Sequence, residues 1–286
     1  MSLVADPTVV TLPNLGIGQR LDAYVVARTE PMAGAVELVM DAPVAAGALR
    51  PGHFFQIAVD APRTLLRRPY SAAWADPQNG RLGFIFNVVG AGSAWLAARE
   101  AGDRLNLLGP LGRGFELDGD GPVVCVAGGL GIAVFPGVVA ALVQRGRQVL
   151  MLCGARSSAQ LLSPERFPGA EVQVATDDGT AGHHGSVIDL LNFTAPFREG
   201  PGGGLDILTC GPTPMLRALI EQAGRLGITP QSIQAALETP MGCGLGTCLG
   251  CVAPSTDGGY LLTCSDGPCL RADRIDWSRI TDAFHG

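Results

Sequence analysis

From Arg20 to Asp118 the hydrophobic residues come in short runs, each closed by a turn signal; from about Asp120, strand-length and helix-length runs alternate. The first pattern predicts strands at Leu21–Thr29, Ala35–Met40, Phe54–Val59, Ser71–Ala73, Leu82–Val88 and Arg104–Leu108. Pro51-Gly52 and Asp76-Pro77 punctuate the joins, and Asn79-Gly80 is the pair that tight hairpins favour. Strands this dense build a small antiparallel barrel. One helical stretch, Ala91 to Ala101 with Ser93 near its start, interrupts it, and residues 1–19 read as a lead-in with one strand at most. The second pattern predicts strands at Val123–Ala127, Val149–Cys153, Glu171–Thr176 and Asp206–Thr209, with helices at Ile132–Gln144, Ser186–Leu191 and Thr213–Leu226. Such alternation implies a doubly wound parallel sheet.

Pro122 to Val143 carries no charge and is long enough to cross a bilayer. A Gly-Gly-Leu-Gly turn, Pro136 and Gly137 interrupt it, so a strand, a turn and a buried helix are expected there instead of a membrane span.

Composition narrows the class. The 286 residues, 47% of them hydrophobic, suffice for two compact domains and a small appended module. A net charge of −6, with no basic stripe, argues against a nucleic-acid partner. All twenty basic residues are arginines, which reads as coding bias and not as chemistry. The chain holds eight cysteines but no signal-peptide pattern at its start, which points to a reducing cytoplasm and away from a disulfide framework. Cys125, Cys153 and Cys210 lie in or beside apolar strand runs, where cysteine acts as a small hydrophobe, and Cys269 is expected to be buried as well.

The other four cysteines carry chemistry. From Met241 the chain reads Met-Gly-Cys-Gly-Leu-Gly-Thr-Cys-Leu-Gly-Cys, and Cys264 follows after a short polar loop. The spacing C-x4-C-x2-C matches the front half of the plant-type [2Fe-2S] pattern. Gly242, Gly244, Gly246 and Gly250 let the backbone wrap closely and aim N–H groups at sulfur. The competing reading is a four-cysteine structural zinc site, which usually shows two short cysteine pairs and a longer spacer.

Upstream, Arg67-Arg68-Pro69-Tyr70-Ser71 offers an arginine for a pyrophosphate, a ring to lie against a flat ligand and a hydroxyl. Alone, this is an ordinary barrel strand with a surface arginine. Val89-Gly90-Ala91-Gly92-Ser93 adds a strand-to-helix junction of the kind that binds anions. Two phosphate-capable elements in one barrel point to a flavin dinucleotide. In the second half, Gly128-Gly129-Leu130-Gly131 stands between strand and helix, yet G-x-G-x-x-G counted from Gly129 fails at Val134. No acidic residue follows the strand ending at Cys153; Arg156 is placed either for a 2′-phosphate or for a salt bridge. Asp177-Asp178-Gly179 and Cys210-Gly211-Pro212 also follow strands, at the edge where ligands bind. His183 and His184 read as solvated surface residues, and no catalytic acid, base or nucleophile stands out.

Together these motifs resemble the ferredoxin-reductase superfamily and, within it, the electron-transfer subunits of type B dihydroorotate dehydrogenase. The resemblance runs from about Asp22 to Leu270 and ends in Cys264-Ser265-Asp266-Gly267-Pro268. It implies a multi-domain β plus α/β chain: an antiparallel flavin-binding β-barrel (residues 1–118), a doubly wound parallel-sheet nicotinamide domain (119–231) and a small C-terminal [2Fe-2S] module (232–286). It implies FAD contacts at Arg68, Pro69, Tyr70 and Ser71, at Ile85, Phe86 and Asn87, and at Gly92 and Ser93. NAD would approach Gly129, Gly131 and the loop of Cys210, Gly211 and Pro212. The cluster ligands carry over as Cys243, Cys248, Cys251 and Cys264. Electrons would pass between NAD(H) and the FMN of a catalytic dihydroorotate dehydrogenase subunit in pyrimidine biosynthesis, within a heterotetramer of two of each subunit. Rival readings are a related reductase subunit serving a hydrogenase or ferredoxin, an oxygenase reductase and a zinc-holding regulatory subunit. Relatives place proline near Val134, whereas this chain has it at Pro136, and Cys269 has no assigned role.

Overall fold

A computed structural model describes residues 18–62, 64–194, 197 and 204–280. Of the expected lead-in over 1–19, residues 1–17 fall outside the described residues and Gln19 opens the first strand. Strands β1 (Gln19–Met32), β2 (Ala35–Asp41), β3 (Phe54–Ile57), β4 (Arg68–Ser71), β5 (Trp74–Asp76), β6 (Arg81–Asn87) and β7 (Arg104–Leu111) form one antiparallel sheet, in the order β4-β3-β7-β1-β2-β6-β5. In β1, Leu21, Ala23 and Val25 are buried while Asp22, Tyr24 and Val26 are not, the period of two that puts alternate side chains on one face. Phe55 and Phe84 meet edge to face at 5.6 Å in that interior. The Tyr70 ring on β4 lies 5.0 Å from the Phe86 ring on β6, so the two ends of the sheet curl together into a barrel. The helix that interrupts the barrel spans Ala91–Ala97.

The second half builds β8 (Val123–Gly128), β9 (Val149–Ala155), β10 (Glu171–Thr176), β11 (His183–His184), β12 (Asp206–Cys210), β13 (Ile233–Ala236) and β16 (Cys269–Arg271). Their order is β11-β10-β9-β8-β12-β13-β16, parallel except for the last pair. Val123 to Ala127 of β8 are all fully buried, as expected of a central strand covered on both faces. The chain runs outward from β8 to β11, then crosses back to β12 on the other side. That reversal opens a crevice at the carboxyl end of β8, between β9 and β12. The uncharged stretch Pro122–Val143 supplies β8, a 3-10 turn at Gly129–Val134 and the helix Phe135–Gln144. Among the described residues no helix is long and apolar enough to cross a membrane.

The sheet continues past residue 231. Ile233 of β13 pairs with Ile207 of β12, and Ala236 pairs with Cys269 of β16. The cysteine segment, with its hairpin β14 (Val252–Pro254) and β15 (Tyr260–Leu262), is therefore spliced between the last two strands of the α/β sheet and is not appended after it. Both flanking strands are only three or four residues long, too short to give a hydrophobic period in sequence.

Barrel and α/β domain share a core. Met32, Ala35, Ala73 and Ile85 pack with Ile132, Phe135 and Val138, and Ala73 O accepts from Gly137 N at 2.7 Å. The buried Glu37 carboxylate accepts from Trp74 Nε1 at 2.7 Å and pairs with Arg166 of the α/β domain. Arg166→Ala leaves that carboxylate short of its cation. Because Arg166 itself is partly exposed, the expected loss is about 2 kcal/mol, below the full cost of breaking a buried pair. Urea unfolding of both chains measures it; equal midpoints would show that the latch contributes nothing.

Candidate functional site

The rim of the barrel is built where β4 meets β3, with Ser71 opposite Phe54 and Pro69 opposite Gln56. Of the two arginines there, Arg67 is committed to the fold. Its guanidinium donates to Gln56 O and Asn106 O, both at 3.1 Å, and ties β4 to β3 and β7. Among the described residues Arg68 donates only to the carbonyls of Leu66 and Arg67 just before it. Its Nε lies 2.9 Å from the position a Cβ on Gly92 would take. The structure thus brings together two motifs 24 positions apart, Arg68 and the Gly90–Ser93 turn, and glycine at 92 makes room for the guanidinium. The buried Ser93 hydroxyl accepts from Val89 N and Gly90 N and holds that turn. Burial pushes the Tyr70 hydroxyl up to about 12, against the opposing charge of Arg68, so it remains a neutral donor. Ser71 is exposed on the rim.

Ile85, Phe86 and Asn87 do not act as one group. Phe86 lies in the barrel core beneath Tyr70, and Ile85 in the core shared with the α/β domain. Only Asn87 faces open space. It lines a cleft of about 430 Å³ with Gly128, Gly129, Leu130, Arg156 and Asp177.

That cleft sits at the sheet's switch point, where two loops touch. A Cβ on Gly131 would stand 2.5 Å from the Cys210 carbonyl carbon and 2.8 Å from Gly211 N. Gly131 is therefore what allows the Gly128–Gly131 turn to close on the Cys210-Gly211-Pro212 loop. Gly129 adopts φ +53, a left-handed conformation natural to glycine. The α-helix begins only at Phe135, so Pro136 occupies its first turn, where a missing N–H costs nothing. The displaced proline is thus accommodated. Cys210 is buried, and burial raises its thiol out of the range of a ready nucleophile. Asp177 and Arg156, weighed in sequence only as turn or ribose residues, line the cleft, whereas Met32 and Ala33 reach it from the β1–β2 hairpin with no sequence signal at all.

The four candidate ligands lie in one segment as two pairs. Cys251 Sγ and Cys264 Sγ are 3.1 Å apart and buried. Cys243 lies beside Cys248, with its thiol hydrogen-bonded there, and Cys248 is exposed. Two pairs of thiolates suit a two-iron centre, in which each iron takes two of them. Gly246 N donates to Cys264 Sγ at 3.1 Å and Leu245 N to Cys243 Sγ at 3.3 Å. Gly244 and Gly246 reach those positions with φ +74 and +79. Burial pushes the Cys243 thiol up, but hydrogen bonds from Thr247, Leu245 and Cys248 outweigh it and bring it to about 6, favouring thiolate. Burial and the neighbouring Cys251 push the Cys264 thiol up to about 12, so its proton would be released when a metal binds the sulfur. The donor set, the pairing and the N–H groups aimed at sulfur fit a [2Fe-2S] centre. Phe54 and Leu111 of the barrel pack directly on Cys251 and Cys264. Cys269 is buried on β16 against Gly52 and belongs to the shared core.

The solved structure of an NADH-dependent reduced ferredoxin-NADP oxidoreductase, described for flavin-based electron bifurcation, superposes with a TM-score of 0.78. It has 26% identity and covers 93% of this chain and 92% of that one. Fold and site together define a ferredoxin-reductase-type flavoprotein with an iron–sulfur segment. Residues 238–276 match the family model of the iron-sulfur cluster binding domain of dihydroorotate dehydrogenase B. The electron transfer subunit of dihydroorotate dehydrogenase B (NAD(+)) from Geobacillus thermodenitrificans is 36% identical over 247 residues, 84% of this chain and 91% of that protein. Its counterpart from Shouchella clausii is 34% identical over 261 residues, 88% of this chain and 96% of that protein. The chain belongs to this family of dihydroorotate dehydrogenase B electron-transfer subunits.

Proposed function

We propose that this chain carries electrons between NAD(H) and the FMN of a catalytic dihydroorotate dehydrogenase subunit, through FAD at the barrel rim and a [2Fe-2S] centre, in pyrimidine biosynthesis. The observation that carries this reading is the placement of the barrel between the other two sites. Asn87, at the end of β6, faces the cleft of Gly128–Leu130, while Phe54 on β3 packs on Cys251 and Cys264. When bound, FAD exchanges an electron pair with nicotinamide and single electrons with iron–sulfur, which is why it stands between them. Arg68 holds the pyrophosphate next to Gly92, and Tyr70 and Ser71 orient the ring system. Asn87, Gly129 and the loop of Cys210, Gly211 and Pro212 position the nicotinamide half. No side chain is needed to move a proton. The working units are a barrel to about residue 118 and an α/β sheet that embraces the cysteine segment.

The catalytic partner docks at the cysteine loop. Cys248 is exposed, and beside it Leu249 stands exposed at φ 55, strained for a non-glycine residue. Leu66, also exposed, approaches the loop at Gly242. Isolated apolar residues are ordinary on a surface, but grouped round a redox centre they suit a partner. The assembly is a heterotetramer of two subunit pairs in the cytoplasm, whose reducing conditions suit eight free cysteines.

Arg68→Ala should lower retained FAD on gel filtration by about tenfold in affinity, the worth of one charge-assisted pair. Unchanged flavin stoichiometry would remove the phosphate assignment. A second reading, a subunit serving a hydrogenase or ferredoxin, draws on the likeness to the ferredoxin-NADP oxidoreductase. An anaerobic pull-down with cofactor analysis separates the two. Recovery of an FMN protein that oxidises dihydroorotate supports the first reading, and recovery of a ferredoxin or hydrogenase overturns it.

A further inference from the structure

Gln56 is a buried amide that the protein itself does not satisfy. Along β3, Phe55 and Ile57 point into the barrel core, so Phe54 and Gln56 point to the opposite face, the one covered by the cysteine segment. Gln56 is 0% exposed, and both its Oε1 and its Nε2 are buried without a hydrogen-bond partner among the described residues. Its backbone carbonyl accepts from Arg67 Nη1 at 3.1 Å. Its side chain presses on the residue after ligand Cys243. A Cβ on Gly244 would lie 2.8 Å from Gln56 Cγ and 3.0 Å from Gln56 Nε2.

Leaving such a group unpaired costs about 1–3 kcal/mol, and native proteins keep few of them. A leucine or methionine would fill the space without that cost. No described residue supplies the partner, and the amide lies against the Cys243–Gly246 loop. Thiolate and sulfide sulfurs are acceptors; of the two amide atoms, only Nε2 has protons to give them. We infer that Gln56 donates a hydrogen bond from Nε2 to a sulfur of the iron–sulfur centre and sets its reduction potential. The inference rests on the iron–sulfur reading of the cysteine loop. A hydrogen bond to sulfur favours the reduced, more negative state, so removing it lowers the potential.

The test uses the full chain with FAD and the cluster in place. In Gln56→Met, the equilibrium for reducing the cluster should shift about tenfold against reduction, about 59 mV for one electron. The flavin potential should stay where it is, and the stability of the metal-free chain should not fall. Identical cluster potentials in the two chains would overturn the inference, and so would a shift confined to the flavin. A second measurement needs no substitution. In the wild-type chain labelled with ¹⁵N at glutamine side-chain amides, pulsed EPR of the reduced cluster should show a ¹⁵N coupling. A cluster signal without it overturns the inference even where Gln56→Met fails to fold. A chain with no cluster signal at all overturns the iron–sulfur reading itself.

Discussion

Replacing Cys248 by alanine should abolish the iron–sulfur centre while leaving FAD bound at full stoichiometry and NADH-driven reduction of an artificial acceptor intact. The separation follows from geometry. Cys248 is exposed and supports no core, so its loss removes one of four thiolates without disturbing the fold. The proposed flavin site lies on another element, where Arg68 meets the Gly90–Ser93 turn. Three thiolates hold a two-iron centre poorly, because each iron draws on two of them. The visible spectrum and the EPR signal of the reduced protein read the cluster, and acid-released flavin reads FAD. Loss of flavin together with the cluster would contradict a relay of separable sites.

The second large effect is expected at Gly131. A Cβ there meets the backbone at the Cys210 carbonyl and Gly211 N, and backbone cannot swing aside as a long side chain does. Gly131→Val drives the two loops of the nicotinamide cleft apart. Reduction of the flavin by NADH should slow by about a hundredfold, the scale of a misplacement of about 1 Å between reacting groups. Dithionite should still reduce both flavin and cluster, since neither site is touched. Stopped-flow absorbance follows the flavin in both chains, and an unaltered NADH rate would show that the two loops need not meet.

Much of this architecture is legible in the sequence because it is local. The burial of β1 at Leu21, Ala23 and Val25 and the fully buried run of β8 can be read residue by residue. The four candidate ligands are marked by the C-x4-C-x2-C spacing and the cysteine that follows it. What the sequence hides is long-range or short. Arg68 and Gly92 are each unremarkable until the barrel closes and sets them together. Strands β13 and β16 are too brief to show a period, so the cysteine segment reads as an appendage when it is an insertion within the sheet. The helix expected from Ile132 begins at Phe135, because the glycine turn first runs on as a 3-10 segment, and Pro136 then falls where a proline is tolerated. The resemblance implies Ile85 and Phe86 as FAD contacts, and what the sequence alone does not show is that both side chains lie in the core. Gln56 gives no sequence signal; only its burial without a partner marks it.

The central claim is that electrons leave or enter this chain through the cysteine loop and reach nicotinamide through the barrel. It is tested most directly by mixing dihydroorotate and NAD⁺ anaerobically with the reconstituted two-subunit complex and following NADH. The account predicts NADH formation with the wild-type chain and none with Cys248→Ala in its place, although the variant still binds FAD. NADH formed at the wild-type rate by the complex that lacks the cluster would contradict it.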